Sequence, residues 1–334
     1  MSNSPPWRVC PTRTSFGSGR GGHSLTRRKD THMNNFKQSF LWSLMSTVPL
    51  IASILMQMIV GGIVMGIHGT IITLMDAAKY GIEYADFEAY MEAFLENMMA
   101  AAGTGIFAYY VVATGLFFLW YYLMCIRPNR DMPREGKILT VPMVGWSVVI
   151  GITLCILSTY MVKFGEYIFP DTIESFYEMI ERAGFGESAL IFIAAVFLAP
   201  FGEEILCRGI IQHYASKISR HFWVANVVQA LAFGIMHLNI VQGTYAFIIG
   251  LALGWLRVRY KTLWVPIIIH FVINFSTSTW LGYLLEELPR NLTIDFGIFA
   301  LAAAATVGIL VIIGKDGSAV ENSNIDENKN NGNI

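Results

Sequence analysis

The chain has 334 residues, of which 54% are hydrophobic and 14% are charged, with a formal net charge of −1 and a mean hydropathy of +0.50. So few charged side chains cannot cover a water-soluble globule, and several uncharged stretches are long enough to cross a bilayer, so the composition excludes a soluble domain. The near-zero net charge gives no indication of a nucleic-acid partner, and the four scattered cysteines predict neither a disulfide framework nor a cysteine metal site.

The N-terminal segment, residues 1–32, is rich in Arg, Ser, Gly and Pro and has no acidic residue before Asp30. This composition is typical of a disordered transit peptide or of non-native upstream sequence. We therefore expect structure from Met33. At the other end, the Asn-rich segment 315–334 predicts a disordered cytoplasmic tail.

Between these ends, the uncharged intervals predict an all-α, polytopic membrane bundle of about eight transmembrane helices. Residues 33–187 form the N-terminal helices and loops, 188–285 a membrane core, and 286–314 the final helix. The candidate spans lie within residues 38–75, 103–126, 138–162, 188 through the glutamates at 203–204, 222–256 (two spans divided at 239–243), 263–285 and 296–314.

Two local features refine this layout. The first interval is too long for one crossing, and Gly61, Gly62 and Gly66 predict a re-entrant or interfacial turn inside it. Residues 76–96 interleave acids with aromatic and aliphatic side chains, which predicts an amphipathic external helix.

The loop charges orient the bundle. Alternate loops are basic and the others acidic, and the basic side is expected in the cytoplasm. An even number of spans then places both termini in the cytoplasm of a multi-pass protein, which we expect in the cell membrane. The basic loops contain Arg127, Arg130, Arg134, Lys137, Lys217, Arg220, Arg257, Arg259 and Lys261.

The adjacent carboxylates Glu203 and Glu204 stand out because they follow a charge-free apolar run that begins at Ser188. Placing a charged side chain at the centre of a bilayer costs roughly 2.5–3.5 kcal/mol even on the scale from membrane-insertion experiments, which gives the smallest penalties, so the pair predicts a functional site. Arg208 follows Glu204 by four positions, which is the favoured spacing for a helical ion pair. Glu203 is then left without its own cation.

Two histidines within the predicted spans, His237 and His270, are the nearest candidates to act with Glu203. Asn274 lies one turn beyond His270, and Phe233 lies one turn before His237. A carboxylate, two imidazoles and an amide brought together from three helices could activate a water molecule and stabilise an oxyanion. The pattern therefore favours hydrolysis.

Three segments in this order resemble the motifs of a known family. EEILCR at 203–208, FGIMH at 233–237 and HFVIN at 270–274 are similar to the motifs EExxxR, FxxxH and HxxxN of the CAAX-protease and bacteriocin-processing family of intramembrane endopeptidases, also called the Abi family. The resemblance implies cleavage of a peptide bond in a membrane-associated protein or peptide within the lipid bilayer.

The resemblance also implies a role for each motif residue. Glu203 and His237 would bind and deprotonate the attacking water, and His270 and Asn274 would stabilise the oxyanion. The residues left to support the site are Glu204, Arg208 and Phe233.

The cofactor and two other functions stay open. The family has been described both as zinc metalloproteases and as glutamate proteases, and the chain has no HExxH motif. Glu203, His237 and His270 form a candidate zinc site because catalytic zinc takes three protein ligands and a water, although we favour hydrolysis without a cofactor. The alternatives are an immunity or scaffolding protein of the same fold without its chemistry, and a proton-coupled transporter, which would predict internal repeats.

Overall fold

The computed structural model describes residues 24–81, 84, 86–129, 139–186, 188–219, 221–288 and 291–331. All regular structure in these ranges is helical, which confirms the predicted all-α class. The helices are α1 (Lys37–Tyr80, with helical backbone from Ser24), α2 (Phe87–Ala100), α3 (Ala102–Ile126), α4 (Val141–Ile168), α5 (Pro170–Arg182), α6 (Ala189–Ala215), α7 (Phe222–Ile235), α8 (Ile240–Tyr260), α9 (Trp264–Thr277), α10 (Trp280–Glu287) and α11 (Leu292–Asn331).

Six of these helices (α1, α3, α4, α6, α8 and α11) are long and apolar enough to cross a membrane. Two more, α7 and α9, are apolar but have only 14 residues each. At 1.5 Å per residue they are about 21 Å long, less than the roughly 30 Å of a hydrocarbon core. The chain is therefore a polytopic helix bundle in which the predicted eight spans appear as six long helices and two short ones.

The turn predicted at the glycines of the first interval is wrong. Helix α1 continues for 44 residues, with a π-helical segment at Gln57–Gly61 in place of the turn. A Cβ atom added at Gly105 of α3 would lie 2.8 Å from the carbonyl oxygen of Gly61. Gly105 therefore allows α3 to pack closely against α1, which is a common use of glycine in membrane proteins.

The helix predicted over 76–96 is confirmed only in its second half. Residues up to Tyr80 belong to α1, and α2 begins after Asp86, whose side chain accepts a hydrogen bond from the backbone N–H of Ala89 at 2.9 Å. None of the α2 residues is buried. An aspartate in this N-cap position fixes the start of a helix, which explains why the second half stands as a separate element.

Both termini differ from the sequence expectations. Helical backbone begins at Ser24, within the predicted extension 1–32, and α11 runs to Asn331, past the predicted boundary at 314. Residues 315–331 contain no proline, so nothing in the sequence forces the preceding helix to stop. Residues 1–23 and 332–334 lie outside the described part of the chain.

Helix α6 is the most buried of the six long helices. In the apolar 18-residue stretch of α6, 61% of the residues are buried, compared with 11% in the corresponding stretch of α1. It packs against α1, α3, α7 and α9. The two glutamates thus lie on the helix that the rest of the bundle surrounds.

Candidate active site

The glutamates end a short α-helical segment of α6, Ala199–Glu204, which lies between π-helical segments at Ala194–Leu198 and Ile205–Ile211. Segments of π-helix are rare and often occur at functional sites. Pro200 lies two residues after the end of the first π segment. Both carboxylates are buried, with 4% of Glu203 and none of Glu204 exposed.

Glu204 is held by a buried ion pair with Arg208, as the spacing predicts. Its Oε1 accepts a hydrogen bond from Nη1 of Arg208 at 2.8 Å, and both side chains are fully buried. Arg208 also donates from Nη2 to the carbonyl oxygen of Gly250 at 3.4 Å, and its guanidinium lies 4.3 Å from the ring centroid of Phe233. The pair therefore ties α6 to both α7 and α8.

His270 on α9 lies between the two glutamates. Its Nδ1 is 2.8 Å from Oε1 of Glu204, and its Nε2 is 3.7 Å from Oε2 of Glu203. Because an ionised carboxylate can only accept, Nδ1 carries the proton, and in a neutral ring Nε2 then presents a lone pair towards Glu203. This contact with both glutamates is not predicted by the sequence, which pairs His270 with Asn274.

Glu203 has one carboxylate oxygen engaged and one available. Its Oε1 accepts a hydrogen bond from the hydroxyl of Tyr110 at 2.5 Å. Its Oε2 has no hydrogen-bond partner among the described residues and faces His270. A water molecule between Oε2 and Nε2 could donate a proton to each of these acceptors, so the arrangement suits water binding.

His237 lies in the turn between α7 and α8, and the expectation that it sits within a span is therefore wrong. Helix α7 ends at Ile235, and Leu238 has a left-handed backbone with φ of 53°. Nδ1 of His237 is 2.7 Å from the carbonyl oxygen of Phe233, so Nδ1–H donates and Nε2 is left as an acceptor. The histidine thus satisfies a backbone carbonyl at the end of the helix.

Close contact between α7 and α8 brings this turn into place. A Cβ atom at Gly234 would lie 2.7 Å from the carbonyl oxygen of Gly243, so only glycine allows the two backbones to approach this closely. The ring of Phe233 stands edge-on to both histidines, with centroid distances of 5.1 Å to His237 and 5.6 Å to His270. Phe233 therefore separates and supports the two imidazoles.

Asn274 makes a contact that the predicted oxyanion role does not explain. Its Nδ2 donates to the carbonyl oxygen of Ala195 on α6 at 2.8 Å. In the first π segment, the N–H of Ala199 bonds to the carbonyl of Ala194, and the next such donor would be Pro200, which has no N–H. Asn274 therefore supplies the hydrogen bond that the proline cannot, and it fastens α9 to α6.

The three residues predicted as zinc ligands each have an atom that could bind a metal. The tautomers leave Nε2 of His237 and Nε2 of His270 able to bind metal, and Oε2 of Glu203 is available. Among the described residues, however, no group of three or more His, Cys, Asp and Glu side chains converges closely enough to hold a metal. The geometry of these three residues therefore does not fit a zinc site.

Tyr110 is the site residue that sequence reasoning missed. It lies on α3, in an apolar stretch where aromatic residues are common, and it belongs to none of the three motifs. The sequence offers only a weak signal, the pair of adjacent tyrosines at 109 and 110 within a candidate span. Its partner, Glu203, is 93 residues away, so only the folded chain reveals the contact.

The segment that carries the three motifs is similar to known membrane peptidases. Residues 185–276 match the family described as type II CAAX prenyl endopeptidase Rce1-like. The protein named "Putative membrane peptidase YdiL" of Bacillus subtilis (strain 168) is 31% identical over 85 residues, which make up 25% of this chain and 34% of that relative. The chain thus matches about a third of the length of this curated relative, and no solved structure matches it significantly. Residues 185–276, which carry the three motifs, are therefore similar to the Rce1-like family of CAAX prenyl endopeptidases, as the motifs predict.

Proposed function

We propose that the chain is an intramembrane endopeptidase that hydrolyses a peptide bond in a membrane-associated protein or peptide. The observation that carries the proposal is the pair of acceptors, Oε2 of Glu203 and Nε2 of His270, at 3.7 Å in a buried site. Within a bilayer such acceptors are costly unless they serve a function, and hydrolysis requires a site that binds and polarises water. The family match covers both residues.

In the proposed reaction, Glu203 is the general base. Oε2 of Glu203 takes a proton from the bound water as the water oxygen bonds to the peptide carbonyl carbon. The carboxyl group then returns this proton to the nitrogen of the leaving amine as the C–N bond breaks. His237 is proposed to help bind the water through its Nε2, since its Nδ1–H is committed to the Phe233 carbonyl.

His270 and Asn274 are proposed to stabilise the oxyanion. For this role His270 takes up a second proton from solvent at Nε2; it then donates Nε2–H to the developing oxyanion in place of accepting from the water, and the Glu204 carboxylate at Nδ1 stabilises the positive ring. Asn274 has a second amide hydrogen beyond the one that it gives to Ala195. Two preorganised donors of this kind are the usual means of stabilising a tetrahedral intermediate.

We propose hydrolysis without a resident metal, with Glu203 acting directly on water. If zinc were bound, Glu203, His237 and His270 would be its ligands, and these side chains would have to move closer together than they are in the structure. Metal content measured together with activity decides between the two chemistries.

The setting is proposed to be the cell membrane, with both termini in the cytoplasm. The basic residues Arg127, Lys217 and Arg257 lie at or beyond the ends of α3, α6 and α8 on one side of the bundle, and the acidic helices α2 and α5 lie on the other. The positive-inside rule then gives this orientation. No nucleic-acid partner is proposed.

Comparative analysis of peptide termini tests the function. Membranes are prepared from cells that have the wild-type chain, the Glu203→Gln variant or no chain, and protein termini are quantified by mass spectrometry. The proposal predicts at least one new terminus with the wild-type chain alone. A terminus that appears equally with Glu203→Gln, or identical termini in all three samples, would favour the immunity, scaffolding or transporter interpretations.

A further inference from the structure

The Tyr110 hydroxyl makes the shortest side-chain contact of the site. Its distance of 2.5 Å to Oε1 of Glu203 is in the range of a charge-assisted O–H···O⁻ hydrogen bond, which is roughly twice as strong as a neutral one. Tyr110 lies on α3, outside the segment 185–276 that matches the family. The contact therefore joins the proposed base to a helix outside the matched segment.

Close packing of α3 against α6 beside Glu203 allows this contact. A Cβ atom at Gly202, the residue before Glu203, would lie 2.7 Å from Oγ1 of Thr114. Thr114 follows Tyr110 by one helical turn, so both lie on the face of α3 that meets α6. Gly202 thus leaves room for the Thr114 side chain where α3 packs beside Glu203.

The hydrogen bond makes the two oxygens of Glu203 inequivalent. The terminal torsion of a glutamate is broad, so an unrestrained carboxylate would rotate and exchange its oxygens. Tyr110 provides the one hydrogen bond to Glu203 among the described residues, and it engages Oε1. Oε2 is consequently kept towards Nε2 of His270, where the proposed water would bind.

We propose that Tyr110 is a positioning residue that orients the Glu203 carboxylate, so that the oxygen not bonded to the tyrosine faces the proposed water and acts as the general base. The inference rests on the proposed function, because it assigns Tyr110 a part in the same reaction. The hydroxyl acts through Glu203 and not on the substrate. Its loss should therefore lower kcat and leave KM unchanged.

The test compares Tyr110→Phe with Tyr109→Phe, a matched control. The two rings pack at a centroid distance of 4.9 Å, but the Tyr109 hydroxyl pairs with Oγ of Ser53 at 2.8 Å and not with Glu203. We expect Tyr110→Phe to lower kcat roughly 10- to 150-fold, the rate equivalent of a hydrogen bond to a charged group, with KM unchanged. Tyr109→Phe should retain kcat within about twofold, and both variants should melt at similar temperatures.

A second comparison separates this inference from the proposed function. In a Glu203→Gln background, Tyr110→Phe should cause no further loss of the residual rate, because the hydroxyl acts only through the carboxylate. If Glu203→Gln abolishes turnover while Tyr110→Phe keeps wild-type kcat, or changes KM alone, the positioning role is refuted and the proposed function stands. If Glu203→Gln itself keeps wild-type turnover, the proposed function fails.

Discussion

The buried ion pair between Glu204 and Arg208 should be a structural lock, and Arg208→Ala tests this. The substitution removes the 2.8 Å contact to Glu204, the hydrogen bond to the Gly250 carbonyl and the cation–π contact with Phe233. Glu204 would keep only its hydrogen bond from His270. Removing one partner of a buried pair leaves an uncompensated charge and costs about 3–5 kcal/mol, so expression and thermal stability in detergent should fall markedly.

The chain provides a matched control for this substitution. Arg182 pairs with Glu178 at 3.2 Å with the same four-residue spacing and the same order, but the two side chains are 69% and 55% exposed. Exposed pairs of this kind contribute about 0.2–1 kcal/mol, so Arg182→Ala should barely change the melting temperature. The double variant Glu204→Gln/Arg208→Ala should regain part of the stability, because it leaves no unpaired charge. If Arg208→Ala and Arg182→Ala melt at the same temperature, the lock interpretation is wrong.

Three further predictions concern the other site residues. Asn274→Ala should leave the Ala195 carbonyl without its donor and lower the free energy of unfolding by about 1–3 kcal/mol. Adding Pro200→Ala should restore part of this stability, because alanine supplies a backbone N–H. If Asn274 is also an oxyanion donor, kcat should fall roughly 100- to 1,000-fold in Asn274→Ala and stay low in the double variant. His237→Ala should be inactive, whereas His221→Ala, a change at an exposed position before α7, should retain full turnover. Exhaustive chelation of the purified protein should leave its activity unchanged. If the protein instead contains one zinc per chain, loses activity when the zinc is removed and regains it when zinc is added back, Glu203, His237 and His270 are metal ligands.

Local spacing predicts the parts of the site that depend on a single helix. The pairing of Glu204 with Arg208 follows from a separation of four residues, and the structure has it at 2.8 Å. The proximity of Phe233 to His237 also follows from a separation of four residues, with ring centroids 5.1 Å apart, although His237 lies in the turn after α7. In each case the two residues are close in sequence, so local geometry sets the contact.

Contacts between helices could not be predicted in this way. His270 meets Glu204 across 66 positions of sequence, and the tautomer of its ring is set by that carboxylate. Asn274 reaches Ala195 because Pro200 leaves a carbonyl without its donor, which requires knowledge of the π-helical segment before the proline. Such a segment has no clear sequence signature.

The turn predicted at the glycines of the first apolar interval is the main difference between the predicted and the observed fold. A cluster of glycines in a long apolar interval predicts a turn, but the same residues also allow two membrane helices to approach closely. In the structure α1 is continuous and packs closely against α3 at Gly105, where a Cβ atom would lie 2.8 Å from the carbonyl oxygen of Gly61. Sequence alone cannot separate the two uses, because the partner helix is not adjacent in the chain.

The central claim is that Glu203 is the base that activates water, and the turnover of purified Glu203→Gln tests it most directly. Glutamine keeps the size of the side chain and an oxygen that can accept the Tyr110 hydrogen bond, but it cannot take a proton from water. On a substrate identified from the membrane termini, kcat should fall roughly 100- to 10,000-fold while the melting temperature stays unchanged. Turnover close to that of the wild-type chain would contradict the account.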